Sequence, residues 1–232
     1  MGRRLVALWV VLVSMGLAAG PRTWTPEKWF DKPRSPRIAN YRIEATLDFE
    51  HKTLEGRETI TWRNAGTAPT QELPLHLYLN AFKGPQSQFV KESGGRLRGD
   101  HLDQPVDPSS WGYCRLISAR MEGRDLEGHD GEDETVRWLR LPRAVPPGET
   151  IHIDITWENR YPKVFARSGW ADDFLMSGQW FPKVGVYQGD RWNCHAYHAN
   201  TEFFSDFGTY DVALSLPNGL GLAHTGTAIP QV

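Results

Sequence analysis

The stretch YRIEATLDFEHKTLEGRETITW, from Tyr41 to Trp62, has the pattern of a β-hairpin. Apolar side chains occupy alternate positions on both sides of a polar turn at His51–Lys52, which is the period of half-buried strands. This pattern predicts two antiparallel strands with one face against a core. The predicted apolar face comprises Tyr41, Ile43, Ala45, Leu47, Phe49, Leu54, Ile60 and Trp62.

Working outward from this hairpin, similar alternation predicts further strands. They cover Leu73–Leu79, Cys114–Met121, Val136–Leu141, Ile151–Trp157 and Tyr210–Leu216. Pro74 predicts that the first of these is a strand start or an edge strand, because proline cannot donate to the hydrogen-bond ladder. Asn218–Gly219 is a strong hairpin signal, which predicts a return strand over Leu220–Thr225. No helical period extends over ten residues beyond the N-terminal region, so we predict an all-β fold of twisted antiparallel sheets.

Composition excludes several classes of protein. The 232 residues are 40% hydrophobic and 23% charged, which is typical of a globular domain and excludes a disordered, collagenous or coiled-coil chain. Basic residues number 26 and acidic residues 28, and the absence of a basic stripe disfavours nucleic-acid binding. Two cysteines are too few for a disulfide scaffold or a four-cysteine zinc site.

The N-terminus has the pattern of a signal peptide. Arg3–Arg4 precedes an apolar run over Leu5–Ala19, and small residues favour cleavage after Ala18. The apolar run is short for a membrane span, and an uncleaved anchor is the alternative. We expect a signal peptide over residues 1–20, an extended proline-rich lead-in over 21–40, and export to the periplasm or the extracellular space. No membrane span is expected after cleavage.

Several hydrolase motifs are absent from the sequence. No histidine is followed by glutamate, so the H-E-x-x-H zinc motif does not occur, and neither does G-x-S-x-G. Cys194, His195 and His198 are the best metal candidates, because thiolate and imidazole bind zinc. We favour instead an aromatic-rich packed segment with incidental histidines, and therefore predict no metal site in this chain. Cys114 and Cys194 are a possible disulfide in an exported chain, which the sequence leaves open.

Two other features have a functional and a structural interpretation. Asp172 and Asp173 are adjacent carboxylates, but a glycosidase dyad is a weaker interpretation than a solvated turn. Aromatic residues crowd the segment from Trp170 to Phe207, among them Trp170, Trp180, Phe181, Tyr187, Trp192, Tyr197, Phe203, Phe204 and Phe207. They are either a sugar-stacking surface or part of the core, and we favour the core because aromatic side chains dominate buried area.

Several segments resemble one protein family in their order along the chain. They are Tyr41–Trp62, Leu75–Phe82, Pro147–Trp157, GQWFPKVGVY over Gly178–Tyr187, WNCH over Trp192–His195, and NTEFFSDFGTYDV over Asn200–Val212. Together they resemble the N-terminal domain of aminopeptidase N-like zinc metallopeptidases, the gluzincin group. More specifically, they are similar to an exported bacterial branch of that family. The resemblance extends over about 41–232.

The resemblance implies a saddle-like β domain that packs on a catalytic domain. That catalytic domain would carry the zinc ligands and the general base, so no cofactor is expected in this chain and the chain alone would be inactive. In the family, the N-terminal domain lends acidic or amide side chains that hold the free α-amine of the peptide substrate, because a carboxylate pairs with an ammonium. The nearest matching residues here are Asp172, Asp173 and Gln179.

The expected partners are therefore the missing catalytic domain and the amino end of a peptide. Gln231–Val232 directly follows a strand-like run, which predicts that the domain is truncated at its C-terminal end. The alternative function is a stand-alone exported β-sandwich module that binds carbohydrate or protein. An exposed apolar docking face would favour the peptidase domain, whereas sugar affinity would favour the binding module.

Overall fold

The computed structural model describes residues 34–94, 96–97, 100–101, 107–163, 167–200 and 203–228. The predicted signal peptide and most of the predicted lead-in lie outside these ranges. Within the described ranges, no helix is both long and apolar enough to span a bilayer.

The described residues form β-strands with little helix, which confirms the all-β prediction. The strands are β1 Ala39–Asp48, β2 Thr53–Arg63, β3 Thr70–His76, β4 Arg96–Leu97, β5 Asp100–His101, β6 Tyr113–Met121, β7 Arg124–Asp125, β8 Gly128–Asp130, β9 Val136–Val145, β10 Thr150–Arg160, β11 Gly169–Ala171, β12 Phe174–Met176, β13 Lys183–Val184, β14 Val186–Gln188, β15 Arg191–Asn193 and β16 Tyr210–Ser215. The helices are α1 Gln88–Glu92 and two 3-10 segments, Tyr78–Phe82 and Pro108–Ser110.

The larger sheet has six strands in the order β16-β1-β2-β10-β6-β7. Its centre is the predicted hairpin, since β1 and β2 pair antiparallel from Ala39 opposite Trp62 to Asp48 opposite Thr53. The side chains of β1, β2 and β10 that face inward are buried and those that face outward are more exposed, as the alternating sequence predicts.

The edge strand β16 departs from the predicted antiparallel arrangement. It pairs parallel to β1, with Tyr210 opposite Tyr41, and the amide of Tyr41 donates to the carbonyl of Thr209 at 2.9 Å. The predicted return strand over Leu220–Thr225 is wrong, because residues 217–228 contain no strand. A turn does form at Gly219, where φ is +89°, but the glycine-rich segment that follows it has low strand propensity.

The smaller sheet has four strands in the order β13-β3-β9-β8, so β3 is an interior strand. The prediction that Pro74 marks a strand start or an edge is therefore wrong. Pro74 lies opposite Trp138 of β9, and on the other side its carbonyl accepts a hydrogen bond from the amide of Gly185 at 2.9 Å. Proline is tolerated there because β13 pairs only with Leu75 and His76, so the ladder beside Pro74 needs no donor from it.

Both sheets contribute to one hydrophobic core. Trp62, Trp157 and Tyr161 are among the largest side chains that are fully buried. Phe181, Tyr187 and Tyr197, from the aromatic-rich segment, are buried in the same core, as the core interpretation predicts, whereas Phe204 and Phe207 are exposed. The described tryptophans are buried or half-buried, so the described residues offer no exposed tryptophan platform for sugar stacking.

Candidate functional site

The candidate site begins at the hairpin formed by β11 and β12. Ser168 connects the two strands at the open end of the hairpin. Its hydroxyl donates to the carbonyl of Gly178 at 2.5 Å and accepts from the amide of Gly178 at 3.1 Å. A Cβ at Gly178 would lie 2.7 Å from the carbonyl oxygen of Arg167, so this close approach requires glycine. Tyr161 and Ser177 share a hydroxyl hydrogen bond of 2.5 Å at the same end. These contacts fix the start of the segment that leads to Gln179.

Asp172 and Asp173 lie together at the tip of this hairpin and are exposed. Asp172 has a left-handed backbone with φ of +49°, which aspartate tolerates in tight turns. Neither carboxylate makes a hydrogen bond or an ion pair with another described residue. Gln179 follows the opposite, open end of the hairpin, where Gly169 pairs with Met176. The structure thus brings the two aspartates together but separates them from Gln179 by the length of the hairpin.

Gln179 is paired with a buried lysine. The Lys183 ammonium Nζ donates to the amide oxygen Oε1 of Gln179 at 2.6 Å. Gln179 is half-buried and has a left-handed backbone with φ of +51°, a conformation uncommon outside glycine. Lys183 is 7% exposed. A lysine this buried needs polar partners, and the amide oxygen of Gln179 provides one.

Two aromatic rings lie beside the lysine ammonium, and a third ring packs on both of them. Lys183 Nζ lies 5.0 Å from the ring centroid of Phe181 and 6.0 Å from that of Tyr210. Tyr41 stacks on Tyr210 at 5.1 Å and meets the ring of Phe181 edge-on at 5.4 Å. The Tyr41 hydroxyl accepts a hydrogen bond from the amide of Val184 at 3.1 Å. The ring faces attract the ammonium and hold the segment of Lys183 against β1 and β16.

A buried carboxylate completes the cluster, and the sequence analysis did not identify it. Glu58 is 3% exposed, and neither carboxylate oxygen has a hydrogen-bond partner among the described residues. It lies on the inward face of the larger sheet, in register with Ile155 of β10 and Ile43 of β1. The signal was present in the sequence, because the period-two pattern that turns Ile60 inward also turns Glu58 inward.

Burial favours the neutral forms of both ionisable groups. Loss of hydration lowers the pKa of Lys183 to about 8, although the nearby Glu58 carboxylate opposes this shift. Loss of hydration also raises the pKa of Glu58 well above its usual value, opposed by Lys183. The pKa of Asp206 is raised for the same reason. Lys183 and Glu58 interact through space but not by a direct hydrogen bond, so they form a polar pair in an apolar environment.

The two cysteines remain free thiols, and the possible disulfide does not form. Cys114 is buried on β6, where its backbone amide donates to Asn80 Oδ1 at 2.8 Å. Cys194 lies against β3, with Sγ 3.4 Å from Nε2 of His76. Burial lowers the pKa of His76 to about 3 and raises that of Cys194 to about 12, so the pair is a neutral imidazole and a thiol. Cys194 and His76 therefore pack together as neutral groups and do not form a reactive thiolate–imidazolium pair.

The candidate metal residues are held by separate contacts. Cys194 contacts His76, whereas His198 Nδ1 lies 2.7 Å from Glu92 Oε1 and its Nε2 lies 3.8 Å from Glu132. His195 is exposed, and its ring nitrogen bonds the carbonyl of the next residue. In the part of the chain that the structure describes, no three metal-binding side chains converge on one point.

The edge strand β16 leaves an apolar row uncovered. Tyr210, Val212 and Leu214 are paired in register with the buried Tyr41, Ile43 and Ala45, so they lie on the core side of the sheet. Nevertheless they are 43%, 40% and 36% exposed. The core-facing surface of the larger sheet therefore extends beyond the described residues that cover it.

The sequence matches no protein-family model, and no curated protein is significantly similar to it. Among solved structures, the chain is similar to the crystal structure of an M1 zinc metallopeptidase from Deinococcus radiodurans. The identity is 18% and the TM-score 0.35, with coverage of 60% of this chain and 25% of that chain. A mutant two-domain M1 zinc metallopeptidase bound to L-arginine is similar at 17% identity and a TM-score of 0.36, with the same coverage. The match thus spans about a quarter of the length of those chains.

Proposed function

We propose that this chain is the N-terminal, non-catalytic β domain of an exported zinc metallopeptidase with aminopeptidase activity. The observation that carries the proposal is the uncovered row Tyr210, Val212 and Leu214, which continues a buried core surface. Exposed apolar patches of this kind mark surfaces that another domain or protein covers. The ordered motifs around Tyr41–Trp62 and Gly178–Tyr187 favour a peptidase catalytic domain as that partner, with zinc held by that domain.

In this proposal, the aspartate pair at the hairpin tip anchors the amino end of the substrate. The carboxylates of Asp172 and Asp173 are exposed and have no partner among the described residues, so both are available to an incoming ammonium. A charge-assisted hydrogen bond to the α-amine would determine which end of the peptide enters the catalytic domain.

The proposal is tested by comparing this chain with the complete gene product. We expect the complete product to hydrolyse aminoacyl p-nitroanilides and to lose this activity on treatment with a zinc chelator, whereas this chain alone is inactive. Absence of activity from the metal-loaded complete product would contradict the proposal. Hydrolysis by this chain alone would contradict the non-catalytic role.

The docking surface has a matched pair of variants on neighbouring positions of β16. Val212→Gln places an amide in the apolar row, whereas Ala213→Gln places the same amide on the opposite face, in register with Glu44. We expect Val212→Gln to weaken the association of the two domains and the activity of the complete product, with little effect from Ala213→Gln. Equal effects of the two substitutions would contradict docking through this row.

A further inference from the structure

We infer that Lys183 is a positioning residue that makes Gln179 present its amide N–H₂ group to a ligand. Gln179 would then bind a carbonyl or carboxylate oxygen of a peptide and not its α-ammonium. This inference rests on the proposed function, in which the domain contacts a peptide. It separates the role of Gln179 from that of the aspartate pair at the hairpin tip.

The orientation of the Gln179 amide follows from its hydrogen bond. Lys183 Nζ is a donor only, so the atom that it contacts at 2.6 Å must be the amide oxygen. The amide nitrogen makes no hydrogen bond to another described residue and is not closed off from solvent. Gln179 therefore has two unused donors that solvent can reach, while its amide oxygen already accepts from Lys183.

The charge of Lys183 reinforces this preference. A second ammonium placed on the amide oxygen of Gln179 would lie within a few ångströms of Lys183 Nζ, and the two like charges would repel each other. A carboxylate or a carbonyl oxygen at the amide nitrogen would instead be attracted by the ammonium behind it. The same pair of residues thus disfavours a cation and favours an oxygen acceptor.

Lys183 is held so that it cannot readily release Gln179. Its side chain is buried, and its ammonium lies over the rings of Phe181 and Tyr210 at 5.0 and 6.0 Å. Glu58, buried on the inward face of β2, lies near enough that its carboxylate, when ionised, favours the ammonium form of Lys183. Release of Gln179 would leave the ammonium without the one hydrogen bond that it makes to a described side chain, which is costly in a buried site.

The test uses this chain labelled with nitrogen-15 and three small probes that differ in one functional group. Butyrate carries a carboxylate, N-methylacetamide carries a neutral peptide carbonyl, and n-propylammonium carries only a cation. The readout is the pair of side-chain amide signals of Gln179, which is assigned from its loss in Gln179→Ala. We expect at least one oxygen probe to shift these signals, with propylammonium binding at least about tenfold more weakly. The stronger oxygen probe identifies the carboxylate or the peptide carbonyl as the better ligand.

Variants of Lys183 separate a positioning role from a structural one. Lys183→Met removes the ammonium and should abolish the preference for oxygen probes, whereas Lys183→Arg keeps a cation and should retain it. Lys91→Met, on the exposed side of α1, is the matched control and should behave as the unmodified chain does. The comparison of probes on the unmodified chain suffices if Lys183→Met does not fold.

Three results would overturn the inference. They are stronger binding of propylammonium than of both oxygen probes, no response of the Gln179 signals to either oxygen probe, and an unchanged preference in folded Lys183→Met. Inactivity of the complete gene product would refute the proposed peptidase function but would leave these signals unaffected. The two failures are therefore distinguishable.

Discussion

Gly56 is a position at which the addition of one methyl group should have a large effect on stability. It lies on β2 directly opposite Trp157 of β10, and the indole of Trp157 occupies the space above it. A Cβ added at Gly56 would lie 2.2, 2.5 and 2.6 Å from three atoms of that ring, well inside van der Waals contact. Trp157 is 1% exposed, so Gly56→Ala forces the ring against neighbours that are already packed.

The size of the effect follows from this geometry. The ring must retreat by about 1 Å to restore ordinary contact, and overpacking of this kind costs about 1–3 kcal/mol. We expect the upper end of that range, because a buried indole cannot bend away as a flexible side chain can. For a chain of this size, about 3 kcal/mol corresponds to a fall in Tm of about 6–12 °C. The ring of Trp180 packs on Trp157 at 5.7 Å, so the displacement would also reach the segment beside Gln179.

The assay is urea unfolding followed by tryptophan fluorescence, with the slope m compared between variants. Gly84→Ala is the control, because a Cβ there meets nothing within 4 Å, and its free energy of unfolding should stay within about 1 kcal/mol of the unmodified chain. Trp157→Phe should make Gly56→Ala less costly, which a double-mutant cycle measures. A loss of less than about 0.5 kcal/mol in Gly56→Ala, or no coupling to Trp157→Phe, would refute the reasoning.

Three other predictions concern titration and thiol chemistry. Burial raises the folded-state pKa of Glu58, so the contribution of Glu58 to stability falls as pH rises from its unfolded pKa through its folded pKa. Urea titrations should therefore find Glu58→Gln more stable than the unmodified chain at pH 8 by about 2 kcal/mol or more. The difference should be smaller at pH 4. The hydrogen bond that the His198 ring donates to the Glu92 carboxylate raises the folded-state pKa of His198, so its contribution to stability is full below the unfolded pKa and is lost as pH rises through the folded value. His198→Gln should therefore lower Tm more at pH 5 than at pH 8, and equal losses would contradict this account. Burial raises the pKa of both thiols, so iodoacetamide should leave Cys114 and Cys194 unlabelled in the folded protein and should label both in denaturant. Mass spectrometry of the unreduced protein measures this labelling. A mass two units below that of the reduced chain would indicate a disulfide instead.

The strands could be predicted because their signal is local. The alternation determines which faces of β1 and β2 turn inward, and the short turn around His51–Lys52 fixes their antiparallel register. The prediction for β3 was wrong because the cost of the missing backbone donor of Pro74 depends on which strand lies beside Pro74 in the sheet. That neighbour, β13, is far away in the sequence.

The candidate site was only partly predictable. Asp172 and Asp173 occupy a turn, as the solvated-turn interpretation predicts. The bond between Lys183 and Gln179 depends on a left-handed residue in an irregular segment, for which the sequence contains no periodic signal. Glu58 was recognisable as inward-facing, but the lack of a hydrogen-bond partner for its carboxylate depends on which side chains pack over β2.

By itself, the sequence determined that this protein is built from β-strands, where most of those strands lie, and which of their side chains turn inward, because these properties repeat every two residues along the chain. The tertiary structure alone decided that β16 lies parallel beside β1, that Val184 meets Tyr41 across 143 residues, and that Lys183 lies near Glu58. Parallel pairing and buried polar contacts join segments that are remote in sequence. Their formation depends on the packing of the whole core, which no local period encodes.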